Sequence, residues 1–170
     1  MSGVEVRPFV AEDLDPLARV LVEVHATDRY PVEGVDDPRV WLQLDSPLGQ
    51  WTALLDEAPV GHVAMLQAVL AEDGAAAQLA VQDGTPIEQV AVLARLFVAP
   101  SARKRSVATR LMETVERAAR SADLRLVLDV MTKDRTALEI YRKRGWQPIG
   151  SFEHQYGDNQ RTQAVALLGP

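Results

Sequence analysis

Two apolar runs joined by a helix with a basic entrance constrain this chain more than any other stretch. Residues 88–98 form the longest strand run and end at Ala99-Pro100. The period then changes. Val107, Leu111, Val115 and Ala118 or Ala119 recur at helical spacing, with Arg110, Glu113, Glu116, Arg117 and Arg120 on other faces. Ser121-Ala122-Asp123 breaks that helix, and Leu124 to Val130 is a second strand run. A strand–helix–strand unit crosses over in the right-handed sense and leaves its two strands parallel.

The flanking segments supply the remaining elements. Val4 and Val6 alternate with polar residues before Pro8, a short strand. From Glu12 a helix is expected, with Leu14, Leu17, Leu21 and Val24 on one stripe and Asp13 and Asp15 in a first turn whose dipole suits acidic groups. Asp37-Pro38 predicts a short helix carrying Val40, Trp41 and Leu44, since Asp caps and Pro suits the first helical position. Gln50 to Asp56 and Val60 to Val69 read as a hairpin about Glu57-Ala58-Pro59. Residues 71–86, AEDGAAAQLAVQDGTP, read as a loop with a short helical turn. A helix from about Thr132 is expected to stop at Gly145, after Arg142, Lys143 and Arg144. Trp146 to Gln155 and Thr162 to Leu168 are two final strands around Gly157-Asp158-Asn159. No repeat or Pro-, Gly- or Ser-rich linker interrupts the 170 residues, so the expectation is one domain over 1-170, of mixed α/β (α+β) class.

Composition narrows the function classes. Lys and Arg number 18 against 24 Asp and Glu, a formal charge of −6, which argues against general nucleic-acid binding. Without Cys there is no disulfide, thiolate metal site or Cys nucleophile. His25, His62 and His154 lack metal-ligand spacing, and the acidic pairs Asp36-Asp37 and Glu72-Asp73 read as solvated loop faces. The start MSGVEVRPF is not a secretory signal, and no apolar run is long enough to span a membrane; a cytoplasmic protein is the expectation. Against this acidity, residues 101–120 hold Arg103, Lys104, Arg105, Arg110, Arg117 and Arg120 with only Glu113 and Glu116. That window is +4 and leaves −10 to the other residues. The first amides of a helix lack internal acceptors and carry partial positive charge, so basic side chains there suit a phosphate. A solvated basic face is the equal alternative on local features. The Walker loop and the dinucleotide glycine fingerprint are both missing.

At Leu93 to Arg120, LARLFVAPSARKRSVATRLMETVERAAR, the chain resembles the acetyl-coenzyme A segment of the GCN5-related N-acetyltransferases. Their [Arg/Gln]-x-x-Gly-x-[Gly/Ala] turn maps onto Arg103, Lys104, Arg105, Ser106, Val107 and Ala108, with Ser in place of the first Gly. A second match is independent: Leu126 to Val130 is followed by Asp134-x-x-Ala137 and then Ile140-Tyr141-x-x-x-Gly145-Trp146. The family reads Asn-x-x-Ala-x-x-x-Tyr-x-x-x-Gly-Phe, so Asp134 replaces Asn and Trp146 replaces Phe. With VRPFVAEDLDPL resembling the family's first strand and helix, the likeness covers almost the whole chain. It implies the acyl-CoA N-acyltransferase fold: a central mixed, largely antiparallel sheet with a splayed parallel strand pair and flanking helices.

The resemblance also implies chemistry: direct transfer of the acetyl group of acetyl-CoA to a primary amine of a small molecule or peptide, with no covalent enzyme intermediate. Leu96, Phe97 and Val98 would pair with the pantetheine arm as an added strand. The turn from Arg103 through Lys104, Arg105, Ser106 and Val107 to Ala108 would hold the pyrophosphate, and Asp134 stands at the family's Asn position. Tyr141 would protonate the departing thiolate, since a phenol with a pKa near ~10 keeps its proton at neutral pH. From the residues alone, a Tyr packed by its ring beside Ala137 and Leu138 is the simpler reading. For the base, relatives carry Glu on the fourth strand where this chain has Val92; Glu88 through a water chain, His62 and His25 are the candidates. A lone strand His is more often a hydrogen-bonded or surface residue. His25 and Asp28 are candidates for shaping the acceptor pocket, and Trp41 for lining it. Two rivals stand beside the enzyme: a non-catalytic acyl-CoA-binding or regulatory domain of the same fold, and a soluble α/β interaction protein. Proteins of this fold often form homodimers; the expected partners are otherwise the amine acceptor, with no nucleic acid and no membrane.

Overall fold

The computed structural model describes residues 3–69 and 74–170. Its elements are β1 (Val4–Pro8), α1 (Leu14–Asp28), α2 (Pro38–Leu42), β2 (Gly49–Leu55), β3 (Ala58–Gln67), α3 (Gly74–Asp83), β4 (Val90–Val98), α4 (Val107–Ser121), β5 (Arg125–Met131), α5 (Arg135–Lys143), β6 (Gln147–Tyr156) and β7 (Gln160–Leu168). The strands follow the order β1-β2-β3-β4-β5-β7-β6. β1–β2, β2–β3, β5–β7 and β6–β7 are antiparallel, and β4–β5 is parallel. This is the expected mixed class: a largely antiparallel sheet with one parallel pair and flanking helices. The chain divides into two compact units, Met1–Met65 with Ala94–Val115, and Leu66–Leu93 with Glu116–Pro170.

In the first unit the apolar stripe of α1 buries Leu17, Leu21 and Val24. Asp13 does not act as an exposed dipole partner as its position suggests. It lies in a 3-10 turn before α1, buried, where Arg7 reaches it with two N–H groups at 2.8 Å and the Thr52 hydroxyl donates at 2.7 Å. Burial alone would raise its pKa; the Arg7, Val10 N–H and Thr52 hydrogen bonds outweigh that and hold it below the usual carboxylate range. α2 starts as predicted, with Val40 N–H donating to the Asp37 carboxylate at 3.1 Å, but it ends at Leu42, so Leu44 lies outside it. Gly61 on β3 lets the start of α4 approach: a Cβ there would sit 3.1 Å from Val107, Leu111 and the Phe97 carbonyl.

In the second unit the expected loop is in fact α3. Its Ala75, Ala76 and Leu79 are buried, its Ala75 N–H donates to the Asp129 carboxylate at 3.1 Å, and Gln82 donates to the Ile149 carbonyl at 2.8 Å. Glu72-Asp73 lies outside the described residues. The long strand begins at Val90 rather than at residue 88, because Ile87–Gln89 is a 3-10 turn. Gly145 ends the α5 segment at φ 89°, a left-handed value that suits a residue without Cβ, and Trp146 packs in the core before β6 begins. Glu116, buried, accepts from Arg144 Nε at 3.1 Å and Nη2 at 2.5 Å and from Trp146 Nε1 at 3.0 Å. Among the described residues, no helix is long and apolar enough to cross a membrane.

Candidate active site

The basic turn belongs to the first unit. Buried Ala102 and Val107 anchor its two ends, and Arg103, Lys104, Arg105 and Ser106 between them are exposed. Lys104 at φ 61° and Ser106 at φ 63° occupy the left-handed region, so the chain turns sharply with side chains that ordinarily avoid it. The Ser106 carbonyl accepts Arg110 N–H at 3.0 Å, which makes Ser106 the residue on which α4 opens. Arg103 is already engaged: its guanidinium forks onto the Asp28 carboxylate, with Nη1–Oδ1 at 3.1 Å. Lys104 and Arg105 form no ion pair among the described residues. A phosphate fits here, where the exposed residues Arg103 to Ser106 lead into the N-terminus of a 15-residue helix and Lys104 and Arg105 supply charge.

β4 approaches this turn with a break in it. Its parallel pairing with β5 runs Val90↔Arg125, Ala91↔Leu126 and Val92↔Val127. The Phe97 side chain is buried and those of Leu96 and Val98 are half-buried. Arg95, within β4, has φ 57°. Its guanidinium lies 4.6 Å from the Trp41 ring centroid and donates to the Trp41 carbonyl.

Of the base candidates, His62 lies on the third strand as expected and Glu88 lies off the fourth. Glu88 is exposed in the 3-10 turn ahead of β4, not on the strand. His62 is fully buried, stacked on Phe97 at 5.4 Å between centroids and edge-on to Phe9 at 6.1 Å. Its Nδ1 donates to the Arg95 carbonyl at 2.8 Å and its Nε2 accepts from Gln50 Nε2 at 2.9 Å. Burial pushes its pKa down to about 4. With both nitrogens committed, the ring has no lone pair left for an amine proton. Among the acceptor candidates, Trp41 is half-buried against Tyr30 and Phe97 at 6.0 Å each, and His25 Nδ1 donates to the Pro31 carbonyl at 3.1 Å.

Tyr141 and Asp134 belong to the second unit. Tyr141 is buried, its ring 5.7 Å from that of Trp146. Burial first, and the Asp134 carboxylate second, push its phenol pKa up. Asp134 stands at the N-cap of α5 without a side-chain cap bond, its Oδ1 3.2 Å from Lys133 Nζ. The residues that sequence reasoning missed are Arg95 and Gln50. A positive φ on an Arg inside a valine-rich strand leaves no mark in composition, and Gln50 reads only as a polar strand start.

Comparison with known proteins bears on the family and the fold. The model of the Acetyltransferase (GNAT) family matches residues 18–146. No curated protein sequence matches the chain. Among solved structures, Arabidopsis thaliana NAA60 in complex with acetyl-CoA superposes with a TM-score of 0.74 at 16% identity, covering 98% of this chain and 97% of that one. The ribosomal-protein-S18-alanine N-acetyltransferase of Escherichia coli gives 0.71 at 15% identity, with 99% and 94% covered. A GNAT-family acetyltransferase from Streptococcus pneumoniae gives 0.67 at 18% identity, with 99% and 100% covered. Identities this low speak for the fold alone; the family follows from the sequence match over residues 18–146, by which this chain belongs to the GNAT acetyltransferase family.

Proposed function

We propose that the protein is an N-acetyltransferase that uses acetyl-CoA as donor and a primary amine of a small molecule or peptide as acceptor. The observation that carries this reading is the turn from Arg103 to Ala108, whose exposed residues Arg103 to Ser106 lead into α4 and whose Lys104 and Arg105 form no ion pair among the described residues. The main-chain N–H groups of the turn hold the pyrophosphate, and Lys104 and Arg105 add charge to it. Arg103 serves by orienting the turn through Asp28 rather than by meeting the phosphates. Leu96 to Val98 offer backbone donors and acceptors to the pantetheine arm. Bound there, acetyl-CoA supplies an acetyl thioester already activated for attack by an amine. Tyr141 keeps its proton at neutral pH because burial disfavours the phenolate, and its role is proton donor to the leaving thiolate. Asp134, at the family's Asn position, keeps that phenol protonated still further above neutrality.

One observation favours the rival reading of a non-catalytic acyl-CoA-binding domain: of the base candidates, Glu88 is off the strand and His62 has both nitrogens committed. Calorimetry with acetyl-CoA and a thiol-release assay over an amine and peptide panel separate the two. Binding with amine-dependent thiol release supports the enzyme; binding without release across the panel supports the binding domain. An absence of binding overturns both. In the enzyme, Tyr141→Phe is expected to lower turnover at least tenfold while the acetyl-CoA Kd stays within about twofold. Unaltered turnover in that variant removes Tyr141 from the chemistry.

A further inference from the structure

Four elements of the first unit are tied together by one ring. Gln50 on β2 has a single amide nitrogen with two hydrogens. It donates one to the Leu42 carbonyl at 3.0 Å and the other to His62 Nε2 at 2.9 Å. That leaves His62 with its hydrogen on Nδ1, where it donates to the Arg95 carbonyl at 2.8 Å. Arg95 in turn donates from its guanidinium to the Trp41 carbonyl. The circuit is closed, because Trp41 and Leu42 are adjacent at the end of α2, whose last carbonyls have no partner within so short a helix. Phe97 and Phe9 pack around the ring and keep water from competing for it. At the centre of the circuit is the one residue of β4 with a positive φ, Arg95. A β-branched or long side chain takes that conformation only when its surroundings hold it.

We infer that His62 is a positioning residue for the acyl donor: it fixes the Arg95 carbonyl, and with it the turned backbone that sets the direction of Leu96 to Val98. This rests on the reading above that those three residues receive the pantetheine arm. The neutral ring acts at one remove, through the strand, and exchanges no proton. Gln50 selects its tautomer.

The test compares two ligands on the full chain by calorimetry. Acetyl-CoA uses both the strand edge and the turn; adenosine 3′,5′-bisphosphate has no pantetheine arm and reaches the turn alone. In His62→Leu the acetyl-CoA Kd is expected to rise about tenfold, the loss of one buried hydrogen bond's worth of positioning, with the bisphosphate Kd unchanged. His62→Asn places an amide N–H where Nδ1 stands and is expected to restore acetyl-CoA binding to within about threefold. Should His62→Leu not fold, Gln50→Met replaces it, since it frees the tautomer while keeping the ring, and is expected to weaken acetyl-CoA selectively. Equal loss of both ligands, or loss of neither, overturns the inference. Wild-type protein that binds the bisphosphate but not acetyl-CoA overturns the assignment of the strand edge instead.

Discussion

Protonating the His62 ring inside the folded protein would set a second N–H against the Gln50 amide, which already donates to that nitrogen. It would also place a charge in a buried site, facing the Arg95 guanidinium, where the hydrogen bond to the Arg95 carbonyl and the Asp13 carboxylate favour it but do not offset the burial. Burial therefore holds the folded pKa at about 4 against an ordinary 6.5. Above pH 6.5 the ring is neutral in both states and contributes no pH dependence. Between pH 6.5 and 4 the unfolded chain takes up a proton that the folded one refuses, so stability falls by about 3 kcal/mol across that window and then levels. Urea unfolding of wild type and His62→Asn at steps from pH 7.5 to 4 checks this: the slope belongs to wild type and is missing from the variant. Ser106 offers a test of a different kind. At φ 63° it pays the left-handed penalty that the family's Gly avoids. Ser106→Gly is expected to stabilise the chain by about 1 kcal/mol, read as a higher melting temperature; a fall would mean that the Ser hydroxyl outweighs the backbone strain.

At the scale of elements, a buried carboxylate joins α4 to the turn between α5 and β6. Glu116 spends both oxygens on Arg144 and Trp146, and Arg144 is itself 20% exposed, so removing the charge strands a largely desolvated guanidinium. Glu116→Gln and Arg144→Met are each expected to cost about 3 kcal/mol in chemical denaturation, since either leaves the other's buried charge without its partner. Elements with a strong apolar period were legible from the residues: α1, α4, β5 and the hairpin of β2 and β3 all follow stripes of Leu and Val. α3 was not, because its buried side is Ala75, Ala76 and Leu79, and an alanine face has almost no hydrophobic contrast with the alanines around it. Its docking depends on Asp129, 54 residues away in sequence, which no local pattern announces. β4 begins two residues later than the sequence pattern implies, because residues 88 and 89 belong to the 3-10 turn Ile87–Gln89. At the site, the motif residues of the turn and Tyr141 were legible through the family pattern. The circuit through Gln50, His62 and Arg95 was not, because it joins positions 12 and 33 residues apart.

Over the whole molecule, charge decides which ligands can approach, and the structure changes which charges count. The formal −6 hides a +4 window at residues 101–120, but those basic groups are not equivalent. Arg103 is neutralised by Asp28, and Glu116 by Arg144. Arg117 and Arg120 lie ten and thirteen residues into α4 from Val107, about 15 and 20 Å along the helix axis. Screening at physiological ionic strength removes most of an exposed charge's influence beyond about 8 Å. Lys104 and Arg105, with Arg110 one turn on, therefore act at the helix entrance. A phosphate-bearing donor should accordingly bind more weakly as salt rises. The double variant Lys104→Ala, Arg105→Ala is expected to raise the acetyl-CoA Kd about tenfold at 50 mM salt and to flatten its dependence between 50 and 500 mM. Arg117→Ala with Arg120→Ala should alter neither. A donor Kd that responds equally to both pairs would mean that the long-range field of the window, and not the turn, holds the anion.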